Sequence, residues 1–186
     1  EAFQYLLSRV GLESLTVRGV AGAAQELHQW NLVKMDGDYY HIDPTFDDPV
    51  IQGKSDNYVS YQYFGLTDEA IASTHTANGE NYPLPDCTAT KDNYYVHRGL
   101  LFSDFDEAAY QALVEEAARV ARAGEASVSV QFASESAYQK AYDALITGQG
   151  IAAVWNATGV SSFDHSTYYL YGDGEQNILD IGISYS

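Results

Sequence analysis

The chain has 186 residues, and its 26 acidic and 9 basic side chains give a formal net charge of −17 at pH 7. Nucleic acids and anionic lipid surfaces bind clustered Lys and Arg, so this balance argues against both as partners. Hydrophobic residues make up 46% of the chain, which is enough for a packed core. No apolar run approaches the roughly 18 residues that a membrane span requires. The only cysteine, Cys87, excludes an intrachain disulfide and a cysteine-rich zinc site.

The chain opens with a pattern typical of a helix. Apolar residues recur at helical spacing over residues 1–10, and Gly11 ends the pattern. No capping residue, initiator Met or signal peptide precedes this helix, which we interpret as the mark of a fragment or processed product. Residues 14–20 then alternate as a strand does, and the small residues around Gly19 and Gly22 predict a flexible link.

The next elements predict a β-hairpin that brings a histidine and an aspartate together. Residues 28–35 and 38–43 form strands on either side of Asp36-Gly37, a strong two-residue turn signal. The numbers of paired residues then sum to about 73, so that Asp43 lies beside His28 at the open end of the hairpin. A carboxylate in this place would fix the tautomer of the imidazole. This is the second half of a nucleophile–base–orienter arrangement.

Residues 44–105 have the composition of long loops. This region contains all four prolines of the chain and many Gly, Asn, Asp, Ser and Thr residues. We predict loops with short helices, such as residues 68–73, packed over the hairpin by tyrosines. A first domain is therefore assigned to residues 1–105. Loops of this length inside a compact domain are usually functional.

Residues 106–186 predict a second, smaller domain of helices and strands. The expected elements are a helix over 106–123, a strand over 126–132, a helix over 135–146 capped by Ser134, a helix over 151–157, and a hairpin of residues 166–171 and 177–184 across Gly172-Asp173-Gly174. The whole chain is therefore expected to belong to the α+β class.

The hairpin also carries a motif that resembles bacterial transglutaminase-like domains. It consists of His28-x-Trp30-Asn31, the Asp36-Gly37 turn and Tyr40-His41-x-Asp43-x-Thr45-Phe46-Asp47-Asp48-Pro49. The resemblance covers residues 1–49 well and residues 58–105 more loosely, whereas residues 106–186 carry no assignable motif. It implies a papain-like core, in which a helix with a cysteine at its N-terminus packs on an antiparallel sheet.

The resemblance also implies roles for individual residues. His28 would be the catalytic base and Asp43 its orienter, and Trp30 and Asn31 would be framework residues that contribute to substrate binding. The family helix typically reads Gly-x-Cys-x-Gly-Tyr-Ala and then x-Ala-Phe-x-x-Leu-Leu, and residues 1–7 match its downstream part. The nucleophilic cysteine is therefore expected about five residues before Glu1. The helix dipole and the histidine would lower the pKa of its thiol.

The expected function is that of a fragment of a transglutaminase-like cysteine acyl-transfer enzyme. Its parent would be a protease or amide hydrolase that acts on peptides or proteins outside a bacterial cell or at its surface. The chain alone would be inactive, and no cofactor is implied. The alternative is a non-catalytic binding or structural module of the cell surface, built on the same scaffold.

The remaining candidate residues have simpler interpretations. Cys87 lies in a proline-rich loop, which favours a small semi-buried residue over a substitute nucleophile. His41 is expected to pack or to donate a hydrogen bond. Asp43, Asp47 and Asp48 do not have the ligand spacing of an EF-hand calcium loop, so no metal is assigned.

Two further groups of side chains remain without a catalytic assignment. His75, His97 and His165 are scattered and do not show ligand spacing. The 16 tyrosines are expected mainly as half-buried sheet residues with solvated hydroxyls, although those in residues 58–95 would also suit a groove for a peptide or glycan.

Overall fold

The computed structural model describes residues 2–48, 58–79, 83–171 and 175–185. The chain divides into two compact units, one formed by Glu1–Pro49 with Ser60–His97 and the other by Val50–Val59 with Arg98–Ser186. Each unit combines helices with a mainly antiparallel sheet, and the predicted α+β class is confirmed. Among the described helices, none is both long and apolar enough to cross a bilayer.

The first unit is a five-stranded antiparallel sheet with short helices. Its elements are α1 (Ala2–Arg9), β1 (Ser14–Ala21), β2 (Glu26–Met35), β3 (Asp38–Ile42), β4 (Phe64–Leu66), α2 (Asp68–Ile71), β5 (His75–Ala77) and α3 (Tyr94–Arg98). The strand order is β4-β3-β2-β1-β5, so β1 to β3 form the centre and the two three-residue strands form the edges.

The predicted hairpin register is confirmed. β2 and β3 pair Asn31 with Ile42 and Met35 with Asp38, and both pairs have numbers that sum to 73. Asp36 and Gly37 adopt φ angles of 47° and 94°, as the connecting turn requires. Two residues with positive φ give a turn whose twist matches the twist of the strands.

The core of the first unit lies under β1 and β2. Val17, Trp30, Leu32 and Cys87 form one buried cluster. Helix α1 contacts β1, where Gln4 donates from Nε2 to the Ser14 carbonyl at 3.1 Å and accepts from Thr16 Oγ1 at 3.0 Å. Side-chain hydrogen bonds therefore help to attach this helix to the sheet.

The prediction of loops over residues 44–105 was partly wrong. β4 and β5 lie in this region and complete the sheet at its two edges. The predicted link around Gly19 was also wrong, because Gly19 lies inside β1 and the chain turns only after Ala21. Three-residue strands carry too little alternation to be recognised, since they are stabilised by pairing with a neighbour rather than by a local pattern.

Gly19 is required by the close approach of β5. A Cβ atom at this position would lie 2.1 Å from the carbonyl oxygen of Thr76, which is backbone and cannot swing away. β5 pairs with β1 through Ala21 and His75 at one end and Gly19 and Ala77 at the other. The absence of a side chain at Gly19 therefore allows β5 to dock.

Substitution of Gly19 by Ala is expected to destabilise the first unit by roughly 1–3 kcal/mol, because β5 must shift to accommodate the methyl group. The matched control is Gly79→Ala, since no atom lies within 4 Å of a Cβ at Gly79. The control should stay within about 0.5 kcal/mol of the parent. Urea unfolding of the two variants compares them directly, and equal midpoints would contradict the packing argument.

The second unit contains a four-stranded sheet and three α-helices in its described part. Its elements are β6 (Leu101–Phe102), α4 (Glu107–Ala123), β7 (Ser127–Phe132), α5 (Glu135–Tyr142), a π-helical turn (Asp143–Thr147), α6 (Ile151–Ala157), β8 (Asp164–Tyr171), a 3-10 turn (Glu175–Asn177) and β9 (Ile178–Ser184). The strand order is β6-β7-β9-β8, and β6 and β7 are parallel.

Most predicted elements of this unit are confirmed. Asp106 caps α4 by accepting the Ala109 N–H at 3.0 Å, and Ser134 caps α5 by accepting the Ala137 N–H at 3.2 Å. The predicted helix over 135–146 changes to the π-helical turn after Tyr142. β8 and β9 pair antiparallel as expected, whereas the predicted turn at residues 172–174 lies outside the described residues.

The second unit buries a carboxylate, Asp180, on β9. Only 5% of this residue is exposed, and Asp180 Oδ2 accepts a hydrogen bond of 2.8 Å from the Tyr58 hydroxyl. The Tyr58 ring stacks on Tyr171 with a centroid distance of 3.8 Å. Burial raises the pKa of Asp180 to about 7, although hydrogen bonds from Ser127 and Tyr58 act in the opposite direction.

This burial makes the stability of the second unit depend on pH. The unfolded chain loses the Asp180 proton near pH 4 and the folded chain near pH 7, so the free energy of unfolding should fall as pH rises between these values. Asp180→Asn should remove roughly 2–4 kcal/mol of this fall. Thermal unfolding at pH 5 and pH 8 tests this, with the exposed Glu115→Gln as control. Equal pH dependence in parent and D180N would contradict the prediction.

Candidate functional site

The predicted base and orienter meet at the open end of the β2–β3 hairpin. His28 lies on β2 and Asp43 directly follows β3, and His28 Nε2 is 2.5 Å from Asp43 Oδ2. The side chain of His28 is 17% exposed and that of Asp43 is fully buried. A short hydrogen bond between these groups fixes the orientation of the imidazole.

The turn after β3 holds the Asp43 carboxylate in place. Asp43 Oδ1 accepts hydrogen bonds from the backbone N–H groups of Thr45 at 2.9 Å and Phe46 at 3.3 Å. Burial acts to raise the pKa of Asp43. Hydrogen bonds from His75 and His28 outweigh this effect, and the pKa lies below its ordinary value. The carboxylate is therefore ionised at neutral pH and faces two imidazoles.

His75 is a member of the site that was not predicted from the sequence. Its Nε2 lies 2.9 Å from the same Asp43 oxygen that His28 contacts, and its side chain is fully buried. His75 begins β5, whose pairing with Ala21 brings it to the hairpin. The signal in the sequence was a histidine in a region that was assigned to loops and that resembles the family only loosely, and its partner lies 32 residues away in the chain.

Trp30 lies beside His28, and its indole ring is fixed by a hydrogen bond to His41. Its ring is nearly parallel to the His28 ring at a centroid distance of 6.3 Å. The indole Nε1–H donates to His41 Nδ1 at 2.8 Å, and His41 Nε2 lies 2.9 Å from Asp68 Oδ1. Because an indole nitrogen can only donate, His41 Nδ1 must accept, and the His41 proton resides on Nε2.

His41 is therefore a neutral structural histidine. Burial lowers its pKa below the ordinary value, although its hydrogen bond to Asp68 acts in the opposite direction. The expectation that His41 packs and donates a hydrogen bond is confirmed. The hydrogen bond between Trp30 and His41 joins β2 to β3, the two strands of the hairpin motif.

Trp30 and Asn31 are both buried, with 2% and 5% of their surfaces exposed. Asn31 Nδ2 lies 3.4 Å from the Leu15 carbonyl oxygen of β1. Both side chains therefore have little surface that a ligand could reach in this structure. The role of the two residues in substrate binding or as framework residues stays a prediction.

A cavity of about 570 Å³ lies beside the exposed part of His28. It is lined by Arg18, Gly19, Leu27, His28, Gln29, Thr45 and Asn78. Within the described part of the chain, the only hydrogen bond of the His28 side chain joins Nε2 to Asp43. The second ring nitrogen, Nδ1, therefore remains available for proton transfer.

Among the residues that the structure describes, two groups of side chains have the spacing of metal ligands. In each group the donor atoms lie within 4.8 Å of one another, and the groups are His28, Asp43 and His75, and His41, Asp68 and Cys87. In the second group both nitrogens of His41 are already hydrogen-bonded, so coordination would require a hydrogen bond to break. Of Asp43, Asp47 and Asp48, only Asp43 belongs to one of these groups.

Asp47 has a structural environment of its own. Only 6% of the residue is exposed, and Asp47 Oδ1 accepts the Tyr63 N–H at 2.8 Å. Burial raises the pKa of Asp47 to about 8, and the charge of Asp43 adds to this effect. Asp47 thus ties residues 60–63 to the end of the hairpin rather than acting on His28.

Cys87 lies beside His41 and Asp68 and not beside His28. Its backbone N–H donates to Asp68 Oδ2 at 2.8 Å, and its side chain belongs to the core under β1 and β2. Burial, together with the charges of Asp68 and Asp86, raises the pKa of the Cys87 thiol to about 12. A thiol of this kind is a poor nucleophile, because the thiolate is the reactive form.

The reaction of Cys87 with iodoacetamide is expected to be slower in the native chain than in the unfolded chain by a factor on the order of 10³, because the thiolate fraction is depressed and the sulfur is buried. The chain has a single cysteine, so mass spectrometry of the intact protein at pH 8 with and without urea measures this ratio. Rapid stoichiometric labelling of the native chain would show that Cys87 is accessible and would restore it as a nucleophile candidate.

The other two histidines do not belong to the site. His97 is exposed on α3. His165, in the second unit, lies 3.1 Å from Asn156 Oδ1 and 2.7 Å from the Val160 carbonyl oxygen. Both remain without a chemical role.

No protein-family model matches this chain, and a search of curated proteins also finds no match. The transglutaminase-like resemblance therefore remains a prediction that depends on the motif residues themselves.

Proposed function

We propose that this chain carries the base and the orienter of a transglutaminase-like cysteine acyl-transfer site. The observation that supports the proposal is the 2.5 Å contact between His28 Nε2 and Asp43 Oδ2 beside an open cavity. Asp43 holds the His28 proton on Nε2, which leaves Nδ1 to accept a proton from a thiol. The parent protein would be a protease or amide hydrolase that acts on peptides or proteins.

The reaction proceeds through a covalent thioester. His28 Nδ1 takes the proton of the cysteine thiol, and the thiolate attacks the carbonyl carbon of an amide. His28 then returns this proton to the nitrogen of the leaving amine as the C–N bond breaks. Water or a second amine, deprotonated by the same nitrogen, attacks the thioester and releases the thiol. Asp43 stabilises the imidazolium form in both half-reactions.

The proposed nucleophile is a cysteine about five residues before Glu1. Gln4 of helix α1 contacts Ser14 and Thr16 of β1, and we take the helix to run antiparallel to this strand. Extension of such a helix by about eight residues beyond Gln4 covers about 12 Å. Measured along β1 from Ser14 and Thr16, this distance corresponds to between about three and four strand residues and reaches the level of Gly19. Gly19 is paired with His28, so a cysteine there would lie level with the base.

The proposal extends to the substrate class and to the location of the parent protein. The partly exposed His28 beside an open cavity suits an extended peptide better than a small enclosed ligand. We place the parent protein outside a bacterial cell or at its surface. Hydrolysis requires only that water reaches the thioester, whereas crosslinking requires an amine-binding surface next to His28.

The alternative is a binding or structural module on the same scaffold. The observation that favours it is the position of the only cysteine, since Cys87 is 1% exposed and contacts His41 and Asp68 instead of His28. In that case the His28–Asp43 pair would serve only to hold the end of the hairpin. The two functions differ in whether a thiol precedes the base in the parent protein.

The test is made on the parent protein with its own residues before Glu1. Sequencing of the encoded N-terminus establishes whether a cysteine lies about five residues upstream, and peptide-amide turnover is then measured with and without a thiol alkylating reagent. His28→Gln and Asp43→Asn should each lower kcat by about 10²–10⁴, because base catalysis is lost or the imidazole takes the wrong tautomer. His97→Gln, an exposed histidine of the same unit, is the control and should leave turnover unchanged.

Absence of the upstream cysteine, or thiol-dependent turnover that persists in H28Q, would reject the enzymatic proposal. Folding of the variants is checked by circular dichroism at the assay temperature. This check separates loss of the base from loss of the fold.

A further inference from the structure

Asp43 Oδ2 accepts hydrogen bonds from two imidazoles at once. His28 Nε2 lies at 2.5 Å and His75 Nε2 at 2.9 Å from this single oxygen. Asp43 Oδ1 accepts two backbone N–H groups, from Thr45 and Phe46. A carboxylate offers about four acceptor sites, so all of them are filled, and His75 supplies one of the four donors.

His75 is itself rigidly held. Its side chain has no exposed surface, and His75 Nδ1 lies 2.8 Å from Thr74 Oγ1. Its ring packs edge-on against Trp30 at a centroid distance of 5.0 Å and lies against Phe46 at 4.8 Å. The backbone of β5 is fixed on β1 through the close approach at Gly19. The donor therefore reaches Asp43 from an element with little freedom to move.

A buried carboxylate with unfilled acceptor sites is costly, because the lost hydration is not replaced. Without His75, the fully buried Asp43 would have one unfilled site and freedom to rotate towards other donors. His28 donates to the same oxygen, so any such rotation would move the proton acceptor of the proposed base. Packing alone does not explain why the second imidazole points its nitrogen at this oxygen.

We propose that His75 is a positioning residue for the His28–Asp43 pair: its Nε2–H fixes the oxygen to which His28 donates and thereby holds His28 with Nδ1 directed away from Asp43. This inference rests on the proposed function for the role of His28. The contact with Asp43 itself can be tested in this chain without any nucleophile.

The variants separate the hydrogen bond from the packing at position 75. His75→Gln keeps an N–H donor near the place of Nε2 but loses the ring. His75→Phe keeps a ring against Trp30 and Phe46 but loses the donor. His75→Asn keeps a polar amide, but its side chain is too short to reach Asp43. This second variant without the donor allows the test even if the apolar ring of H75F prevents folding. His97→Phe is the control for a changed histidine elsewhere in the unit.

The measurements are carbon NMR of the Asp43 carboxyl group during an acid titration and nitrogen-edited NMR of the His28 ring. We expect H75F and H75N to raise the pKa of Asp43 and to lose the slowly exchanging His28 Nε2–H resonance. H75Q and H97F should retain both parental signatures. A folded H75F or H75N with parental Asp43 titration and parental His28 ring signals would overturn the proposal and leave His75 as a packing residue.

The two proposals fail in different ways. Loss of the His28 signature in H75N, together with a parent protein that has no thiol-dependent turnover, would keep the positioning role and reject the enzyme. Thiol-dependent turnover that depends on His28 but is unchanged in H75N would keep the enzyme and reject the positioning role. Restoration by H75Q of what H75N loses is the result expected from a hydrogen-bond donor.

Discussion

The first unit depends on one buried negative charge, the carboxylate of Asp43. Transfer of a carboxylate out of water is tolerated only when donors fill its acceptor sites. The four donors come from β2, from β5 and from the turn after β3, so a single side chain joins three segments that are distant in the sequence. The same contacts that satisfy the charge also assemble the candidate site. Stability and chemistry are therefore linked at this residue.

A second hydrogen-bond network fixes the orientation of Trp30, which lies beside His28. Trp30 donates to His41, His41 donates to Asp68, and Asp68 accepts the backbone N–H of Cys87. Because each group in this series has one proton arrangement, the Trp30 ring has one orientation beneath His28. The motif histidine His41 thus acts on the site only through the tryptophan. Trp30 and His41 are therefore linked in one hairpin, although neither of them lines the cavity beside His28.

The parts of the fold that the sequence predicted are those with local signals. The Asp36-Gly37 turn sets the hairpin register, and Asp106 and Ser134 cap their helices through contacts three residues away. The pairing of His28 with Asp43 followed from that register. β4 and β5 could not be predicted, because three residues show no period and their stability comes from neighbours remote in sequence. His75 was missed for the same reason, and with it the second donor of the site.

Tyr58 has a consequence for how this protein can be divided. It belongs to the second unit, where it bonds to Asp180 and stacks on Tyr171, although residues on both sides of its segment belong to the first unit. The polypeptide thus passes from the first unit to the second, returns, and passes over again. Neither unit corresponds to one continuous stretch of the gene. Recombination that exchanged one of them as a cassette would have to move two separate segments together, so the two units are expected to be inherited as a pair.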